Sequence, residues 1–179
     1  MLATSDYSEF VRFVRSGFQG QLIEPADKEY EAARAIFNSA STKHPAVIAR
    51  CKTADDVVLA VRGAGLLGLN PAVRGGGHSV AGWSSCNGLV IDLSCLKEIG
   101  VNQQAGIAHV EAGLTWGELD RETARLGLAV PGGIISTTGI AGLTLGGGVG
   151  WLVRKYGLSC DNLVAAKLVT ADGHSKHVS

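Results

Sequence analysis

The stretch Val73-Arg74-Gly75-Gly76-Gly77-His78-Ser79 sets the fold of this chain. Residues 72–74 predict a short strand, and three glycines follow it at once. Glycine reaches positive φ without a steric penalty. A run of three can therefore point consecutive backbone N–H groups into one concave face, a nest that wraps an anionic group. Arg74 offers a charge beside that nest and Ser79 a hydroxyl donor. A tight strand-to-loop turn without a ligand has the same composition and is the structural alternative.

A second stretch has the same character. It runs Pro131-Gly132-Gly133-Ile134-Ile135-Ser136-Thr137-Thr138-Gly139-Ile140-Ala141-Gly142-Leu143-Thr144-Leu145-Gly146-Gly147-Gly148-Val149-Gly150. Small side chains, hydroxyls and bare amides alternate, and no residue carries a charge. A flat uncharged ring and a pyrophosphate could both lie against such a surface. A close-packed core loop is the alternative. Two such stretches, one ending in a histidine, favour a large nucleotide-like cofactor.

The rest of the composition narrows the class. Glycine accounts for 25 of 179 residues, about twice its ordinary share. Hydrophobic residues make up 46% and charged residues 18%, enough apolar content for a core. Sixteen basic residues balance sixteen acidic ones. That leaves no basic field for a phosphate backbone and no polybasic run for a membrane surface, so neither nucleic acid nor membrane is an expected partner. Residues 126–153 carry no charge and could span a bilayer by count. Pro131 and nine glycines make that a poor helix; a buried, irregular, ligand-facing segment is expected. Cys51, Cys86, Cys95 and Cys160 lack zinc-ligand spacing and read as buried free thiols, which with the absence of a signal peptide suggests a cytoplasmic protein. No metal site is expected.

Working outward, helices are predicted at 8–15 and 26–37, the latter from Pro25 and early acids. Residues 46–50 predict a strand, Thr53 caps a helix running to about Gly63, and 72–74 and 89–93 predict two more strands. That order implies a parallel βαβ unit with a right-handed crossover. Residues 107–112 predict a strand, Thr115 and Glu118 have capping-box spacing, and Gly127 stops the helix they begin. Residues 151–156 predict a helical turn closed by Gly157. Residues 163–170 and 174–178 form a hairpin about Asp172-Gly173. The second arm meets the end of the chain, which suggests a domain taken from something longer. Gly63, Gly65 and Gly68 fit a dinucleotide fingerprint, but they follow a helix instead of opening one. His174 and His177 read as a solvated edge.

Arg74-Gly75-Gly76-Gly77-His78-Ser79, the run 137–148, Gly150-Trp151, Lys155-Tyr156-Gly157-Leu158 and Asp161-Asn162 together resemble the FAD-linked oxidases of the vanillyl-alcohol oxidase superfamily. The nearest branch is the berberine-bridge-enzyme-like group, and the likeness covers roughly residues 40–179. The resemblance implies an α+β, PCMH-type FAD-binding fold: two α/β subdomains with FAD between them. Residues 1–45 would be a helical leader, 46–104 the first subdomain, and 105–179 the second, truncated at its hairpin. The implied cofactor-binding residues are Arg74, Gly75, Gly76, Gly77, His78, Ser79, Gly132, Thr137, Thr138, Gly139, Gly142, Gly146, Gly147 and Gly148. His78 falls on the histidine that the family often bonds to the flavin 8α-methyl carbon, where a neutral imidazole nitrogen can act as nucleophile. A non-covalent site lined by His78 is the alternative. Some relatives add a cysteinyl link; Ile135 stands at that position, so none is expected.

The resemblance also implies an activity: a small-molecule alcohol, sugar or related compound loses a hydride to flavin N5. The family's substrate domain and usual catalytic base lie beyond these residues, so no base is assigned, and Tyr156 reads as a packing residue. The alternative is a flavin-binding module without catalysis. A nicotinamide-dependent reductase of the same fold is disfavoured, because the resembling reductases lack the His78 histidine. An open sheet edge would favour a homodimer.

Overall fold

A computed structural model describes residues 4–179. Met1-Leu2-Ala3, where both the leader and the segment without signal-peptide features begin, lie outside the described residues. Helix α1 (Thr4–Arg15) buries Phe10, Val11 and Val14 on one side. The helix predicted at 26–37 shrinks to α2 (Tyr30–Arg34). Its early acids make a turn instead: Glu24 N donates to Asp27 Oδ2 at 2.8 Å, and Asp27 N donates to Glu24 O at 2.9 Å. Asp side chains compete for backbone donors in this way and stop helices from starting. Ala35 then leaves in an extended conformation.

The leader also contributes strand β1 (Gln21–Ile23), which no sequence pattern marked. It pairs antiparallel with β2 (Val47–Arg50). The predicted parallel arrangement is present. After β2 come α3 (Ala54–Leu66), β3 (Ala72–Arg74) and β4 (Leu89–Asp92), in the sheet order β1-β2-β4-β3. Strand β4 lies between β2 and β3 and is parallel to both. Its Leu89, Val90 and Ile91 are all buried, as expected of a strand covered on both faces. The period of two divides them. Leu89 and Ile91, with Val47 and Ala49, pack on α1 and α3, whereas Val90 and Ile48 pack against Ile23, Tyr30 and Ala33.

Thr53 caps α3 as predicted: Asp56 N donates to Thr53 Oγ1 at 3.2 Å and Thr53 N to Asp56 Oδ2 at 3.1 Å. Asp56 also accepts from Lys52 N and from Gln19 N, which fastens the leader to the helix start. The fingerprint-like glycines sit at the end of α3, where Gly68 takes φ +64° beyond the last turn.

Downstream, β5 (Ile99–Asn102), missed in the sequence, pairs with β6 (Ile107–Val110), and α4 (Trp116–Ala124) follows. Leu114, Trp116, Leu119 and Ile140 form a separate small core. The uncharged segment is neither wholly irregular nor wholly buried. It contains α5 (Ile140–Leu145), and Ile134, Ile135, Leu145, Val149 and Trp151 are exposed. No helix among the described residues is long and apolar enough to cross a membrane. Helix α6 (Val153–Tyr156) ends at Gly157 as expected, at φ +78°. Tyr156 is half exposed instead of packed, with the Lys155 ammonium 4.9 Å from its ring centroid. Strands β7 (Ala166–Val169) and β8 (Ser175–Val178) form the predicted hairpin, with Gly173 at φ +74°. His174 lies on that exposed edge, its Nδ1 3.0 Å from Asp172 Oδ2. All four cysteines are free, but only Cys51 is buried.

Candidate functional site

The two glycine stretches meet backbone to backbone. A Cβ on Gly76 would overlap Gly139 N and Cα, and a Cβ on Gly139 would overlap Gly76 N. Only glycine permits that approach. Residues 136–140 are held there from the other side by 114–117. Trp116 N donates to Thr138 O at 2.9 Å, Gly117 N to Ser136 O at 2.8 Å, and Ile140 N to Leu114 O at 2.9 Å.

The first loop is a row of open donors. Among the described residues, no protein acceptor takes the N–H of Gly75, Gly76, Gly77, His78 or Ser79. Five consecutive backbone donors without partners are rare unless water or an anion receives them. Gly77 takes φ +69°, which turns the row into a concave face.

His78 stands fourth in this row. Its Nε2 lies 3.0 Å from Thr137 Oγ1 of the second loop. The Phe37 ring stacks on it with centroids 3.7 Å apart and planes 19° from parallel. Phe37 belongs to a strap, residues 36–43, that ties down the whole loop. Phe37 N donates to Gly77 O at 3.1 Å, Asn38 Nδ2 to Val80 O at 2.8 Å, and Lys43 Nζ to Gly82 O and Ser85 O at 2.7 and 2.9 Å. The strap is irregular and has no periodicity, so the sequence held no sign of its place in the site.

Arg74 sits under the loop. Its side chain turns inward, and Nη2 donates to Asp92 Oδ2 at 2.8 Å, while Arg50 Nε reaches the same oxygen at 3.3 Å. Both Arg74 and Asp92 are buried, and Arg74 Nη1 has no partner. Burial alone would raise the Asp92 pKa. The hydrogen bond and charge of Arg74, with the Ser94 N–H, outweigh it and hold the carboxyl below its usual value. The guanidinium therefore braces the loop from the sheet, and the Arg74 stem packs beneath Gly77. Ser79 Oγ accepts from Trp83 N at 3.1 Å and keeps its own proton to donate.

The glycines of the second stretch divide by what surrounds them. A Cβ on Gly132 would strike the Trp116 ring, and one on Gly148 would strike the Ser159 side chain. These two let elements pack. Gly142 has nothing within 4 Å of a Cβ, and Gly146 meets only the carbonyls of its own helix. Gly142 lies on α5 and Gly146 caps its C-terminus four residues on, and both are exposed. Gly147 and Gly148 take φ +104° and +81° and carry the chain out of that helix. Thr138 is partly buried behind Thr137.

The profile of the FAD binding domain matches residues 45–179. The chain belongs to that family. It is a PCMH-type FAD-binding domain of α+β fold, related to the berberine-bridge-enzyme-like proteins and to 6-hydroxynicotine oxidase. (R)-6-Hydroxynicotine oxidase of Paenarthrobacter nicotinovorans is 40% identical over 156 residues, covering 87% of this chain and 34% of that protein. The crystal structure of 6-hydroxy-D-nicotine oxidase from Arthrobacter nicotinovorans superimposes with a TM-score of 0.88 at 38% identity, covering 91% of this chain and 36% of that one. The berberine-bridge-enzyme-like protein 1 of Physcomitrella patens gives 0.88 at 32% identity, covering 94% and 37%. The FAD-binding domain thus spans about a third of the length of the curated relatives it matches. Its residues suit the cofactor. The open donors of 75–79 can receive a pyrophosphate, and the contact at Gly76 and Gly139 keeps side chains out from between the loops.

Proposed function

We propose that the loop 75–79 holds the FAD pyrophosphate, that His78 bonds the flavin through its 8α carbon, and that the domain serves an oxidoreductase acting on a small alcohol, sugar or related compound. The observation that carries this reading is the row of five N–H groups at 75–79, without protein acceptors among the described residues, that places His78 at the junction of the two loops. Those backbone N–H groups donate to negative charge, above an arginine whose Nη2 is paired with Asp92. Thr137 and Phe37 hold the His78 ring. When bound, flavin supplies the redox chemistry by accepting a hydride from substrate at N5. The domain's task is to fix that ring and exclude solvent around it.

Absorbance before and after acid precipitation tests the reading. Flavin colour that stays with the precipitate, and leaves it in His78→Ala, supports the bond. Colour that moves wholly to the supernatant overturns the bond and leaves a non-covalent site. Failure to take up FAD at all would overturn the pyrophosphate assignment. Anaerobic bleaching of the bound flavin by candidate alcohols or sugars tests the oxidoreductase reading.

A further inference from the structure

Three neighbouring strands of the first sheet end on a charged residue. Strand β2 ends on Arg50, β4 on Asp92 and β3 on Arg74. The three run parallel, and their register sets Arg50 and Arg74 on either side of Asp92. Asp92 Oδ2 accepts from both, from Arg74 Nη2 at 2.8 Å and from Arg50 Nε at 3.3 Å, while Oδ1 accepts from Ser94 N at 3.0 Å. One carboxylate cannot cancel two guanidiniums, so the row keeps one net positive charge. Among the described residues, no second carboxylate pairs with either arginine. Glu29 lies one side chain further out, at an exposed position: it accepts from Gln21 Nε2, and Gln21 Oε1 accepts from Arg50 Nη1 at 3.3 Å. Asp56, buried at the head of α3, is taken up by the backbone donors of Gln19, Lys52 and Thr53.

The chain runs from Arg74 straight into the open donors. A Cβ on Gly77 would stand 3.5 Å from Arg74 Cδ, so the loop rests on that side chain. Arg74 is 5% exposed, and its Nη1 has no partner. Salt screens buried charge poorly, and ligands of parallel strands gather beyond their carboxyl ends. The uncancelled charge therefore lies at the end of the sheet from which the open donors spring. We infer that the Arg50–Asp92–Arg74 row is an electrostatic seat for the cofactor's phosphates, in which Arg50 and Asp92 set the anion affinity of loop 75–79 through the field of the row and touch no ligand. This rests on the pyrophosphate reading above. Its signature is a conflict within one residue. Asp92 holds the fold together, and its negative charge holds anion affinity down.

The test is calorimetric titration of FAD into the chain in a His78→Ala background, where binding is reversible, at a temperature at which circular dichroism shows each variant folded. Arg50→Gln removes one positive charge from the row and should weaken FAD binding roughly fivefold. Asp92→Asn removes the negative charge and should tighten it roughly tenfold, although the same variant melts at a lower temperature. Glu29→Gln makes an equal change of charge outside the row and should leave Kd within about twofold, since exposed charge is screened. A loss of FAD affinity in Asp92→Asn would make the row a brace and overturn the inference. If Asp92→Asn does not fold, Arg50→Gln decides alone, because its side chain is a quarter exposed and its removal leaves the Arg74–Asp92 pair in place. An unchanged Kd in Arg50→Gln refutes the seat. A Glu29→Gln effect as large as that of Asp92→Asn would assign the attraction to whole-molecule charge and refute it too. FAD binding that ignores the row overturns this inference alone and leaves the pyrophosphate reading standing. A parent His78→Ala chain that takes up no FAD overturns both.

Discussion

At the scale of single residues, the site depends on atoms that are absent. Gly139 and Gly76 touch through their backbones, so Gly139→Ala forces the two loops apart. The expected loss is about 2–3 kcal/mol of stability, by analogy with overpacked cores, together with weaker FAD uptake. Gly142→Ala is the control. Nothing lies within 4 Å of its Cβ, and alanine is the better helix former. Urea denaturation of the FAD-free chain should place this variant at or slightly above wild type. Asp92 carries a second residue-scale prediction. Its folded pKa lies below the ordinary carboxylate value, so its contribution is present above about pH 4 and fades as pH falls through the folded value. Asp92→Asn leaves the buried Arg74 unpaired and should cost about 3–5 kcal/mol near neutrality. The gap between wild type and variant should narrow below about pH 4, because only the wild type loses a charge there. A gap that stays constant to pH 2 would argue against the ion pair as its source.

At the scale of elements, caps and strand patterns were legible and the irregular connections were not. Thr53 announced α3 because a hydroxyl and an acid three residues apart satisfy each other's backbone donors. The structure adds what spacing does not reveal: Asp56 takes backbone donors from Gln19, Lys52 and Thr53 at once. Thr53→Ala should therefore cost about 1 kcal/mol. Asp56→Ala should cost distinctly more, since it strands three donors and frees residue 19 from the helix start. Thermal melts of the two variants rank them, and equal losses would show the leader tie to be idle. Strand β1 escaped notice because three residues carry too little pattern, and only the exposed edge of β2 recruits them. The helix expected at 26–37 failed because Asp27 found backbone donors nearer than a helix would offer.

At the scale of the whole molecule, the two loops belong to different halves of the chain, and a ligand that touches both must join them. FAD should raise the melting temperature by mass action, worth about 2.7 kcal/mol at a hundredfold excess over Kd. A titration of FAD that leaves the midpoint unmoved would contradict the site. The exposed Leu145, Val149 and Trp151 show that the apolar surface of the uncharged segment is not covered by residues 4–179.

The sequence by itself determined the glycine loops, the strands that carry them, the capped helices and the family. Each of these is local: a turn, a cap or a period is decided within a few neighbouring residues, and a motif is a string. Tertiary structure alone decided that Gly76 touches Gly139, that Arg74 pairs with Asp92, and that Phe37 and Thr137 close on His78. Those contacts join residues 18 to 63 positions apart. They are chosen by the packing of whole elements, and no local preference of the chain encodes them.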